Sequence, residues 1–96
     1  MNRDAGQRLA AVLKYDAKKD RAPQLAAKGR GTIAEKIIEL ALRHGIPIRK
    51  DPALVQVLSR LEIDETIPQE LYQAVAEVLA FVYRMNEQRR QASSSR

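Results

Sequence analysis

Leu9-Ala10-Ala11-Val12-Leu13-Lys14-Tyr15 decides the fold of this 96-residue chain. Read as a helix, it makes the protein an all-helical bundle; read as a strand, it makes a small α/β layer structure. Ala10, Ala11 and Leu13 are good helix formers, so intrinsic propensity favours a helix. Leu25-Ala26-Ala27, which follows Ala22-Pro23 and stops at Gly29, is equally open. Further along, longer helical patterns alternate with short apolar runs bounded by Pro or Gly, which suggests the α/β arrangement.

The rest of the chain is better punctuated. Thr32 stands three residues before Glu35, the spacing of a capping box, so a helix is expected to start at Thr32. Ile33, Ile37, Leu40 and Ala41 recur at helical spacing, Arg43 and His44 suit the negative helix end, and Gly45 supplies a left-handed stop. Ile46-Pro47-Ile48 then reads as a short strand with Pro47 at an edge position. Asp51-Pro52 is a second helix start, with Leu54, Val55, Leu58 and Leu61 as its buried face. Pro68, with Glu70 in the first turn, opens the strongest helix. Leu71, Val75, Val78 and Val82 form one stripe on it, and Tyr72, Ala76, Leu79 and Tyr83 form a parallel row whose flank is free to reach solvent. Beyond Met85 the composition turns polar, so residues 86–96 read as a flexible basic tail.

Composition narrows the function. The chain has no cysteine and one histidine, which removes disulfides, thiolate chemistry and imidazole metal clusters; no cofactor is expected. No apolar run approaches the roughly 20 residues of a membrane span, and the N-terminus lacks the apolar core of a secretory signal, so a cytoplasmic protein is expected. The net charge of +5 is uneven: eight basic against three acidic side chains over residues 1–31, one against five over 53–82, and four against one over 83–96. Basic ends of this kind allow a small nucleic-acid-binding or regulatory protein as an alternative function. Only 4% of residues are aromatic and no binding motif is present, so nucleic acid is not the expected partner.

The ordered set Leu13-Lys14-Tyr15-Asp16, Ala22-Pro23, Ala27-Lys28-Gly29, His44-Gly45-Ile46-Pro47-Ile48, Asp51-Pro52-Ala53-Leu54 and Ile67 through Tyr83 resembles the cytoplasmic C-terminal domain of the FlhB family, the export-switch proteins of type III secretion. The resemblance runs from about Leu9 to Met85. It implies an α/β domain of the FlhB/EscU type over residues 9–85, in which a small mixed β-sheet of about three strands packs with three to four helices. Leu9 to Tyr15, the Leu25 segment and Ile46 to Ile48 would be the strands, tertiary context overriding the weak helical propensity of the first.

Members of that family carry an Asn-Pro-Thr-His loop that cleaves itself at the Asn-Pro bond. At the corresponding position this chain has Ala5-Gly6-Gln7-Arg8, so residues 1–8 read as a remnant of the loop region. Self-cleavage needs an asparagine side chain to attack its own main-chain carbonyl, with a nearby group moving protons. Alanine offers no such nucleophile and a guanidinium stays protonated, so no enzymatic activity is expected. The membrane helices and the strand before the loop are absent from the sequence, and the open sheet edge this leaves invites strand addition, including a homodimer. The resemblance also implies a protein-binding surface made of Ala22, Pro23, Ala76 and Leu79, with ordinary core and turn residues as the alternative. The implied function is a non-catalytic component of the flagellar export apparatus, substituting for or supporting the post-cleavage fragment of FlhB in substrate recognition and specificity switching. Export-gate proteins, full-length FlhB among them, and export substrates would be its partners, which places it in the cytoplasm beside the inner membrane and in contact with that membrane only through the export gate.

Overall fold

The computed structural model describes residues 8–94, with side chains through Gln91. Leu9–Lys14 is strand β1, and it pairs antiparallel with β2, Gln24–Arg30. Alanine and leucine favour helices only weakly. Here that preference yields to a two-sided burial that a strand provides and an isolated helix does not, because both rows of β1 meet a packed layer.

The sheet is layered by the alternation of side chains along β2. A Cβ on Gly29 would lie 2.5 Å from Ile33 Cγ2 and 2.9 Å from Ile37 Cδ1, so this face of the strand lies directly under helix α1, Thr32–Arg43. Lys28 points to the opposite face, where its ammonium reaches the end of helix α2, Pro52–Leu58. Ala10 pairs with Gly29 and is buried on the α1 side, as is Ala34 of α1. Between Val12 and Leu13 the register shifts by one residue, leaving Ala26 unpaired as a bulge. After the bulge Leu25 turns into the core on the α2 side with Leu54, Leu58, Ile67 and Val75, and Ala11 and Leu13 pack against this cluster. Leu25 and Ile67 are among the largest fully buried side chains, each contributing about 2 kcal/mol of transfer free energy.

Leu25 is also held by its backbone. Its N–H donates to the Glu65 carbonyl at 3.0 Å, and its own carbonyl accepts from Asp64 N–H at 2.7 Å. Residues 64–67 thus cover the first part of the outer edge of β2, with an isolated bridge between Gln24 and Thr66. The sheet itself has two strands where about three were expected.

Two helix ends obey local rules and one does not. The Asp51 carboxylate accepts from Leu54 N–H at 3.1 Å, capping α2 ahead of Pro52. At the end of α1, Ile46 N–H donates to the Ala41 carbonyl and Gly45 N–H to that of Leu42, with Gly45 at φ 70, which is a Schellman motif. The Thr32–Glu35 capping box does not form. Gly31 is the N-cap, at φ 63, and Thr32 is already helical. Gly31 N–H is taken by the Arg8 carbonyl at 2.7 Å, so the turn from β2 into α1 is made by a glycine in a conformation that a threonine would resist.

The last helix differs from expectation at both ends. Pro68 leads into a 3-10 turn, Gln69–Leu71, before helix α3, Tyr72–Ser94. The tail expected from residue 86 is helical through Ser94. Ile46–Ile48, expected as a strand, has no strand partner. The two segments lie against each other. The Arg49 guanidinium lies 5.7 Å from the centre of the Phe81 ring, and Arg89 approaches Gly45, its Nη1 3.9 Å from where a Cβ would stand. Residues 45–49 therefore run antiparallel along α3 from 89 to 81: eight helical residues rise about 12 Å and four extended ones span about 13 Å. The apolar run has a helix and not a strand as its neighbour, touching it through Arg49 and Gly45. An ion pair between Arg90 and Glu87 at 2.6 Å supports the same stretch.

Candidate functional site

Ala22 and Pro23 end the connection from β1 to β2. That connection is folded on Asp16, whose carbonyl accepts from Lys19 N–H at 3.0 Å and Asp20 N–H at 2.7 Å, and whose own N–H donates to the Asp20 carboxylate at 2.9 Å. It delivers Ala22 to a buried position, 7% exposed, and leaves Pro23 half-buried. The Pro23 carbonyl accepts from Ile67 N–H at 2.9 Å. Proline has no N–H of its own to pair, so this carbonyl is its only backbone anchor.

On α3 the two stripes separate as their spacing requires. Val75 is 2% exposed and belongs to the core cluster, with Leu71, Ala74 and Val78 packed against it. One residue further round, Ala76 is exposed, Leu79 is half-buried with its inner side on the same cluster, and Tyr72 and Tyr83 are 45% and 65% exposed. The result is an apolar ribbon, Tyr72-Ala76-Leu79-Tyr83, along the open side of the helix. Pro23 meets this core through Ile67, and Leu79 meets it through the cluster to which Ile67 and Val75 belong. Leu79 thus touches the cluster with its side chain, whereas Pro23 is tied to it by a backbone hydrogen bond to Ile67.

Of the four expected residues, Ala76, Leu79 and Pro23 offer surface, whereas Ala22 lies beneath it. Tyr72 and Tyr83 extend the ribbon and were not among the expected site residues; their spacing of four and seven from Ala76 was the available signal. The ribbon is flanked by exposed Gln73 and Glu77. Of the expected loop remnant, Ala5, Gly6 and Gln7 lie outside the described residues, and Arg8 is exposed and bonded by its carbonyl to Gly31. Among the described residues no helix is long and apolar enough to cross a membrane.

Residues 7–82 match the model of the FlhB HrpN YscU SpaS family. An uncharacterised protein of Bacillus subtilis, YlqH, is 42% identical over 80 residues, covering 83% of this chain and 86% of that protein. The flagellar biosynthetic protein FlhB of Aquifex aeolicus is 44% identical over 75 residues, covering 77% of this chain but 21% of that one, so the chain spans about a fifth of its FlhB relative. Among solved structures, the cytoplasmic domain of FlhB from Shewanella putrefaciens superposes with a TM-score of 0.78 at 35% identity, covering 85% of this chain and 68% of that one. The PscU C-terminal domain gives 0.73 at 30% identity, covering 76% and 94%. By the family match over most of its length, and by a fold shared with the FlhB and PscU cytoplasmic domains, this chain belongs to the FlhB HrpN YscU SpaS family.

Proposed function

We propose that this protein acts in flagellar or related type III export as an FlhB-type cytoplasmic domain, binding a short hydrophobic segment of export substrates without catalysing a reaction. The observation that carries the reading is the apolar ribbon Tyr72-Ala76-Leu79-Tyr83 standing open along α3, with Leu79 seated on the core cluster whose Ile67 is bonded through its N–H to the Pro23 carbonyl. Neighbouring gate components are its partners in this reading. No Asn-Pro pair occurs anywhere in the chain, so it works uncleaved.

The test is binding of peptides carrying apolar motifs from export substrates, read by calorimetry. Ala76→Asp removes binding and leaves cooperative melting in place, because Ala76 is exposed. Leu79→Asp also removes binding but lowers stability, since Leu79 packs on the core. Unchanged affinity in Ala76→Asp would overturn the site. Intact mass after long incubation at neutral pH reads self-cleavage directly, and a single uncleaved species is expected.

A further inference from the structure

We propose that the tip formed by residues 42–50 and the adjoining face of α3 docks on an anionic lipid bilayer. Three aliphatic side chains stand exposed there: Leu42 at 69%, Ile46 at 51% and Ile48 at 37%. The strap contacts bring Arg49 to Phe81 and Arg89 to Gly45, so a cation of α3 joins Arg43, Arg49 and Lys50 in the segment that carries these side chains. The nearby carboxylates are already engaged. Glu39 pairs with Lys36 and Arg43, Asp51 caps α2, and Glu87 pairs with Arg90. Among the described residues Arg49, Lys50, Arg84 and Arg89 make no ion pair, which leaves the tip strongly basic.

Exposed aliphatics interleaved in sequence with uncompensated cations match the interface of an anionic leaflet. The isoleucines enter the acyl boundary, and the basic groups meet the headgroups. Charge alone would suit any acidic polymer, but it does not account for three exposed aliphatic side chains within seven residues. The shallow depression of about 240 Å³ lies elsewhere, lined by Leu9, Lys28, Gly29, Arg30 and Ser59.

The test is co-sedimentation of the full chain with phosphatidylcholine vesicles, with and without phosphatidylglycerol, at low and high salt. Binding is expected only with phosphatidylglycerol and weakens with salt. Ile46→Ser with Ile48→Ser, and separately Lys50→Glu with Arg84→Glu, each lower the affinity by roughly tenfold or more. Both double variants are exposed positions, and their melting temperatures stay at the parent value; should the isoleucine pair melt early, Ile46→Ser alone carries the test. Ile33→Ser, an exposed side chain at the other end of α1, binds as the parent does. Absence of binding to phosphatidylglycerol vesicles at low salt overturns the proposal. So does full binding by the isoleucine variants together with displacement from the vesicles by soluble polyglutamate, which would assign the tip to an acidic polypeptide.

Discussion

The Lys28 ammonium donates to the Leu61 carbonyl at 2.7 Å and also reaches the Ser59 carbonyl at 3.2 Å. A cation from the sheet thereby closes the negative end of α2, taking the carbonyl of its C-cap Ser59 and that of Leu61 in the turn that follows.

Lys28→Met keeps the stem and removes both bonds. A loss of about 1–2 kcal/mol is expected, as for charge-assisted hydrogen bonds at a partly buried site. Thermal melting reads it as a fall of roughly 5–10 °C. An unchanged melting temperature would show that water caps the helix equally well.

Gly29 lets α1 approach β2. Gly29→Ala places its methyl against Ile33 Cγ2 and Ile37 Cδ1, and overpacking of this kind costs about 1–3 kcal/mol. Ile33 is 60% exposed, so Ile33→Ala alone changes little, and combined with Gly29→Ala it recovers part of the loss. A double-mutant cycle in urea measures the coupling. Strict additivity would mean that the clash is not with Ile33.

Asp64 takes φ 74 in the turn where Glu65 N–H donates to the Glu62 carbonyl at 3.0 Å. Asp64→Asn is expected to be neutral, and Asp64→Val to lose about 1–2 kcal/mol, because a β-branched residue resists the left-handed region. The Lys14–Asp64 ion pair, 3.9 Å long and exposed, contributes little, so Lys14→Met leaves the urea midpoint nearly unchanged.

Phe81 anchors the strap. Phe81→Ala removes the ring beneath Arg49, and the C-terminal turns of α3 lose their neighbour. Hydrogen exchange by mass spectrometry should show faster exchange over residues 84–91, with the amides of β1 and β2 unchanged. Equal protection in parent and variant would mean that this end of α3 is stable without the strap.

What the sequence determined by itself is whatever a few neighbouring residues decide among themselves. Asp51-Pro52 caps α2 and Gly45 ends α1 because a side-chain oxygen or a missing Cβ acts within one turn. The two stripes of α3 were legible for the same reason: helical spacing alone places Val75 inward and Ala76 outward. Of the candidate surface, the outward placement of Ala76 and the half-buried placement of Leu79 were legible in that spacing, whereas the burial of Ala22 depends on where the hairpin connection lands.

Tertiary structure decided the remainder. Leu9–Lys14 is a strand because Gln24–Arg30 pairs with it and layers cover both faces, none of which a local propensity contains. Ile46–Ile48 and the end of α3 differ from their local signals, and they meet in contacts between residues distant in sequence. Thr32 was displaced as a cap by Gly31, whose amide is claimed by Arg8 on the neighbouring strand edge. Caps and stops cost or contribute about 1 kcal/mol and act locally, whereas strand pairing and the packing of helices on both sheet faces bury surface between remote segments, and the larger burial prevails.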